Sequence, residues 1–134
     1  MNLYAIDPRQ IDMFWGAVLP FVERAMEESA YDTSQSVYDA IREERAVLWV
    51  VWDDGEIHAV VVTQLSQNAK AKACGIWICT GNGRENWDHL LTEIEAYAKR
   101  EGCALMRHKA RTGWARVLKP RGYKMTHVIL EKAL

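Results

Sequence analysis

The stretch from Ala46 to Leu65 constrains this chain more than any other. It reads AVLWVVWDDGEIHAVVVTQL, two β-branched and aromatic runs joined by Asp54-Gly55. An Asp-Gly pair in that setting is a strong two-residue hairpin signal, because both positions tolerate the positive φ that a tight reversal needs. The runs are nearly continuous in apolar residues, which asks for cover on both faces of the sheet. A chain built around this hairpin must therefore supply helices to two sides. Its 134 residues and 49% apolar content suit one compact domain over 1–134 with a core of its own.

The flanking segments supply that cover. In IDPRQIDMFW, Asp7 caps a helix start, Pro8 fits the first turn and Gln10 completes a capping box. Ile11, Phe14, Trp15 and Val18 follow at helical spacing, and Pro20 predicts a kink or restart before FVERAMEESA. A second helix, SQSVYDAIREER, begins after Thr33 or Ser34, with Val37, Tyr38 and Ile41 on one side. Beyond the hairpin, KACGIWICT reads as a third strand. From Asn86, which reads as the cap, Trp87, Leu90, Leu91, Ile94 and Ala98 form one helical stripe that Gly102 ends. CALMRHKA is a fourth strand. TGWARVL is a short helix capped by Thr112 and stopped by Pro120 and Gly122, and YKMTHVILEKAL is a closing strand. NLYAI adds a short strand at the start. The expectation is an α/β fold with two N-terminal helices and a central twisted mixed sheet of about six strands. An antiparallel meander leads into a right-handed crossover through the 86–102 helix, with helices on both faces.

Several function classes are disfavoured. Net charge is −1, so no global field calls for nucleic acid or a membrane, and neither is indicated as a partner. No apolar run approaches the roughly 20 residues of a membrane span. Cys74, Cys79 and Cys103 are an odd set without a CxxC pair, and the N-terminus is not signal-like. Free thiols in a reducing compartment follow, so the expected location is cytoplasmic rather than secreted. Five residues apart on one strand, Cys74 and Cys79 are expected on opposite faces. His58, His89, His108 and His127 are scattered without metal-ligand spacing, so no metal site is expected. Core packing accounts for at least four of the six tryptophans, and Trp114, beside Gly113, is the strongest functional candidate among them.

Charge is unevenly distributed. Residues 1–98 carry 7 Lys/Arg against 16 Asp/Glu, whereas residues 99–124 carry 9 against Glu101 alone. Such asymmetry points to an anionic ligand or partner on Arg107, Lys109, Arg111 and Arg116. A phosphate, a nucleic-acid backbone and an acidic protein partner all fit. So do a solvated basic face and mutual neutralisation of the two parts.

The order αα-βββ-α-β-α-β resembles that of the GNAT (Gcn5-related N-acetyltransferase) superfamily. The local match is best over LLTEIEAYAKREGCALMRHKARTGWARVLKPRGYKMTHVILEK. It is similar to the superfamily's amphipathic helix, A-K-x-x-G, strand, short helix, Gly-aromatic pair and last strand. The phrase GWARVL…GY…VILEK also resembles short GNAT-like proteins of tailed bacteriophages, some of which are virion or assembly components.

The resemblance implies an acetyl-CoA site on the turn CTGNGREN, where backbone N–H groups and a helix N-terminus would face the pyrophosphate. Gly81, Asn82, Gly83, Arg84 and Asn86 are the residues it assigns. The family writes this loop Gln/Arg-x-x-Gly-x-Gly/Ala, and the frame counted back from the helix puts Glu85 and Trp87 at its two small positions. Trp87 would either fill the phosphate space or pack below it. The implied base position on the preceding strand holds no carboxylate, the implied tyrosine acid is Leu118, and the implied asparagine is Arg111. Tyr123, Glu43, Glu44 and His108 are the available substitutes. Two readings follow. The first is a GNAT-fold protein with a degenerate site, acting as a bacteriophage virion or assembly component through protein partners, in the host cytoplasm or the virion, with a homo-oligomer among the options. The second is an acyl-CoA-dependent N-acetyltransferase with an altered cofactor loop.

Overall fold

The computed structural model describes all of residues 1–134. A five-stranded sheet runs in the order β1-β2-β3-β4-β5. Its strands are β1 (Asn2–Ala5), β2 (Val47–Asp53), β3 (Glu56–Gln67), β4 (Lys72–Gly81) and β5 (Leu105–His108). The first four pair antiparallel, and β5 lies parallel to β4, so the sheet is mixed as the sequence predicts. Asp54 and Gly55 take φ of 49° and 80° at the hairpin, the conformation that makes this pair suitable there.

Helices α1 (Ile11–Met26) and α2 (Ser34–Arg42) cover one face. Ile11, Val18, Val22, Val37 and Ile41 pack there on Leu48, Val50, Val60, Val62 and Ile78. Helix α3 (Leu91–Arg100) covers the other, with Leu91, Ile94 and Ala98 against Trp49, Val61, Cys74 and Ile76. The short α4 (Gly113–Leu118) joins this second layer through buried Leu118. Thr33 opens α2 with a reciprocal capping box to Ser36. Asp7 accepts from the Arg9 N–H at 2.9 Å, so its cap closes one residue earlier than a box with Gln10 would require.

Five details correct the sequence reading. Helix α1 runs unbroken through Pro20, which lies on its exposed face, where the carbonyl its missing N–H leaves free can meet solvent. Helix α3 starts at Leu91 rather than Asn86, because 3-10 turns at Arg84–Asn86 and Asp88–Leu90 take up the intervening chain. Neither Asn86 nor Thr112 caps a helix: α3 follows Leu90, and Thr112 has helical dihedrals with no side-chain bond.

Cys74 and Cys79 contact the same layer, on the α3 side. Val62 pairs with Ile78 and Thr63 with Ile76, so Trp77 is an extra residue in β4, and this bulge inverts the alternation between the two cysteines. Finally, no closing strand forms. Residues 124–134 are exposed and belong to no strand, and no backbone–backbone hydrogen bond involves them. The chain turns at Gly122 (φ +92°), Tyr123 is tied to Glu95 on α3, and no strand pairs with the outer edge of β5.

Candidate functional site

Three features meet at one end of β4. The first is an opening between strands. β5 pairs with β4 only from Ala73↔Leu105 to Ile76↔His108, whereas β4 continues to Gly81. Residues 77–81 therefore have no strand on that edge. The parting falls at the Trp77 bulge, so β4 changes facing where its neighbour leaves it.

The second feature is the turn after β4. Gly81 closes the strand against β3, where a Cβ would overlap Ala59 and the His58 carbonyl. Gly81→Ala is expected to cost about 1–3 kcal/mol through this overpacking, read as a lower urea midpoint at constant slope. Gly83 adopts φ +62°, ψ +47°, the left-handed conformation that glycine enters without penalty. The N–H of Asn86 closes back on the Gly83 carbonyl and that of Trp87 on the Arg84 carbonyl, each forming a tight turn. No backbone carbonyl accepts from the N–H of Gly83, Arg84 or Glu85. Consecutive free N–H groups beside a left-handed residue are the elements of an anion-binding concavity.

Trp87 lies beneath this turn. Its side chain is 1% exposed, packs with Val51 and Ala59, and donates its indole N–H to the Asn82 carbonyl at 2.9 Å. Of the two placements the sequence allows, the indole takes the lower one and props the turn from the sheet side. Asn82, Gly83, Glu85 and Asn86 remain exposed above it.

The third feature is a cluster of arginines. Asp88 accepts from Arg84 at 2.9 Å and from Arg121 at 3.0 Å, with its own side chain only 14% exposed. Arg84, Asp88, Arg116, Val117, Pro120 and Arg121 line an open cleft of about 560 Å³. Three guanidinium groups against one carboxylate leave it cationic, and the shared Asp88 holds two of them in place. Arg84 also lies 6.0 Å over the Trp114 ring, which stands between Trp87 (6.4 Å) and His108 (5.1 Å). His108 ends β5 where the strands part. Its Nδ1 is buried without a hydrogen-bond partner, and burial pulls the imidazole down to about 4, so it is neutral at physiological pH.

The basic residues singled out in the sequence do not form one patch. Arg116 joins Arg84 and Arg121 at the cleft. Arg111 pairs with Glu28 at 3.2 Å, and Lys109 sits 5.9 Å over the Tyr31 ring, so both turn toward the α1–α2 connection. Arg107 is exposed on β5. Asp88 and Arg121 were not singled out. Asp88 stands four residues after Arg84, a legible helical pair, but Arg121 is 33 residues away and only the fold brings it in.

The substitutes for proton transfer also separate. Tyr123 donates to Glu95 at 3.0 Å, and burial together with that carboxylate pushes its hydroxyl above the ordinary range. Leu118 is a core residue. Burial raises Cys79 to about 12 and Cys74 to about 11, which keeps both thiols protonated. No three His, Cys, Asp or Glu side chains gather in a metal-holding group, and no helix is long and apolar enough to cross a membrane.

No family model and no curated protein matches the sequence. Solved structures do match the fold. A probable acetyltransferase superposes with a TM-score of 0.75 over 100% of this chain and 97% of its own, at 13% identity. A predicted acetyltransferase with acetyl-CoA from Clostridium acetobutylicum gives 0.71 over 98% and 95%, at 14% identity. Glucosamine-6-phosphate N-acetyltransferase from Arabidopsis thaliana gives 0.71 over 98% and 97%, at 12% identity. The chain has the GNAT fold. Arg84 belongs both to the turn after β4 and to the arginine cleft, and through Trp114 it neighbours His108 at the β4–β5 opening.

Proposed function

We propose that this protein binds an acyl-coenzyme A and transfers its acyl group to an amine. The observation that carries this reading is the position of Trp87. With the indole buried under the turn, the N–H groups of Gly83, Arg84 and Glu85 are left without a backbone acceptor in the same turn whose Arg84 lines the cleft with Arg116 and Arg121. Backbone donors and a cationic cleft suit a pyrophosphate and a further phosphate. The exposed Glu85 opposes this charge, and the three arginines outnumber it. A bound acyl-CoA would supply an activated thioester.

The edge of β4 over 77–81, left without a strand partner, offers main-chain groups to an extended ligand arm. No carboxylate lies on β4, and Leu118 offers no proton. Proton removal from the amine falls to the neutral His108 imidazole or to water. Reactant alignment in the opening then accounts for most of the rate, since alignment alone contributes far more than a displaced base removes.

Isothermal calorimetry with acetyl-CoA and CoA tests the proposal. Binding in the micromolar range is expected, weakened about 10- to 100-fold by Arg84→Ala or Arg121→Ala, the loss of one charge-assisted phosphate contact. Absence of binding at millimolar cofactor would sink it, and unchanged affinity in both variants would remove the cleft from the site.

A further inference from the structure

His108 borders the β4–β5 opening from the α3 face of the sheet, and a carboxylate borders it from the other face. Asp32 lies in the connection between α1 and α2, and its Oδ2 accepts from the Trp77 indole N–H at 3.3 Å. Trp77 is the bulge residue at which β5 leaves β4, and it packs on the α1–α2 layer. Asp32 is thereby tied to the parting itself. Its backbone is pinned on both sides: its N–H donates to Ser29 Oγ at 3.0 Å, and Thr33 caps α2. The side chain is half-buried, yet it forms no ion pair. The cations that reach this connection are engaged elsewhere, Arg111 with Glu28 and Lys109 over the Tyr31 ring. A partly desolvated, pre-positioned carboxylate without a countercharge is a seat for a cation.

We infer that the acceptor is a diamine, one nitrogen of which Asp32 holds as an ammonium while the other enters the opening as a free amine. The inference rests on the acyl-transfer reading of that opening. Two nitrogens are required because their charge states differ. An ammonium paired with a carboxylate is stabilised in its protonated form, and its nitrogen has no lone pair to attack with. The second nitrogen meets His108, which is neutral and can take a proton. That nitrogen forms the amide bond as the thioester C–S bond breaks. The electron pair leaves with sulfur, and the proton shed by nitrogen passes to His108 or to water. The charges of the two faces sort the ligands. A cationic acceptor is repelled from the cleft of Arg84, Arg116 and Arg121 and drawn to the face that carries Asp32. Asp32 is then a specificity-determining residue, and its effect falls on acceptor binding rather than on the chemical step.

Steady-state kinetics of the full chain with acetyl-CoA provide the test, comparing cadaverine (a five-carbon chain with an amine at each end) with n-pentylamine. The diamine is expected to have the higher kcat/KM by about 10- to 100-fold, the effect of one charge-assisted contact, and the difference should lie in KM. Asp32→Asn keeps an acceptor for the Trp77 indole and removes the charge. It should raise the cadaverine KM about 10- to 100-fold at nearly constant kcat and erase the preference. Glu27→Gln removes an exposed carboxylate that is in no ion pair, just after α1, and should leave the cadaverine KM nearly as it is. Equal kcat/KM for the two amines, a preference that survives Asp32→Asn, or no transfer to either amine by a chain that binds acetyl-CoA would each overturn the inference. Failure of acetyl-CoA to bind would instead overturn the acyl-transfer reading, and calorimetry of cadaverine on the cofactor-free chain then decides the role of Asp32. Binding that weakens with added salt and is abolished by Asp32→Asn upholds the cation seat; no binding at millimolar cadaverine overturns it.

Discussion

Replacing Trp87 with alanine is expected to destabilise the protein by about 3–5 kcal/mol, the range for truncating a buried tryptophan. The side chain is 1% exposed and is the largest of the fully buried residues. It fills the space between the start of α3 and the ends of β2 and β3, where Val51 and Ala59 are small and cannot expand into a cavity. The lost indole hydrogen bond adds little, because its acceptor belongs to exposed Asn82 and can turn to water. The cavity therefore dominates. Trp87→Phe retains most of the volume and should cost less than half as much. Urea denaturation of the two variants checks both figures; a loss below about 1 kcal/mol for Trp87→Ala would mean the residue is not packed as described. The same pair bears on function. Under the proposed function, an indole below the turn means that Trp87→Phe leaves acetyl-CoA affinity nearly unchanged. If it stood in the phosphate space, the smaller ring would tighten binding.

This residue also marks the limit of what the sequence discloses. The hairpin, the order of elements and the two helical layers follow from local pattern, because Asp54-Gly55 and the apolar periodicities act over a few residues. Trp87 is visible as the leading residue of an apolar stripe, but its direction depends on how far the helix is set back. Two 3-10 turns decide that, and nothing in GNGRENWDHLL distinguishes them from a first α-helical turn. The Trp77 bulge is hidden for a related reason. An extra residue in a strand shows only against its partner's register, and the opposite-face reading of Cys74 and Cys79 fails through that one insertion. The C-terminal segment makes the converse case. Residues 124–134 have the composition of a strand, yet they form none, because composition does not supply a pairing edge. Among the charges, the Arg84–Asp88 pair is local and Arg121 is not, so the cleft was half legible.

The second large effect concerns acid. His108 is held neutral by burial, with its imidazole down at about 4 against an ordinary value of 6.5. Between those values the unfolded chain binds a proton that the folded chain refuses, so stability rises with pH across that window. The contribution is complete above about pH 7 and is lost progressively as pH falls toward 4. The full gap is worth about 3 kcal/mol, of which about 2 should disappear between pH 7 and pH 5, above the range in which ordinary carboxylates take up protons. His108→Phe keeps a ring against Trp114 and removes the titration, so its stability should be nearly flat over the same interval. Urea midpoints of the two proteins at pH 7 and pH 5 decide the matter. Equal slopes would show that His108 is solvated rather than buried. A steeper slope in the unsubstituted chain would establish a neutral imidazole at the mouth of the β4–β5 opening. Under the proposed acyl transfer, that is the protonation state an incoming amine would need to meet, since a charged imidazolium would repel the ammonium form and could not accept a proton from the free one.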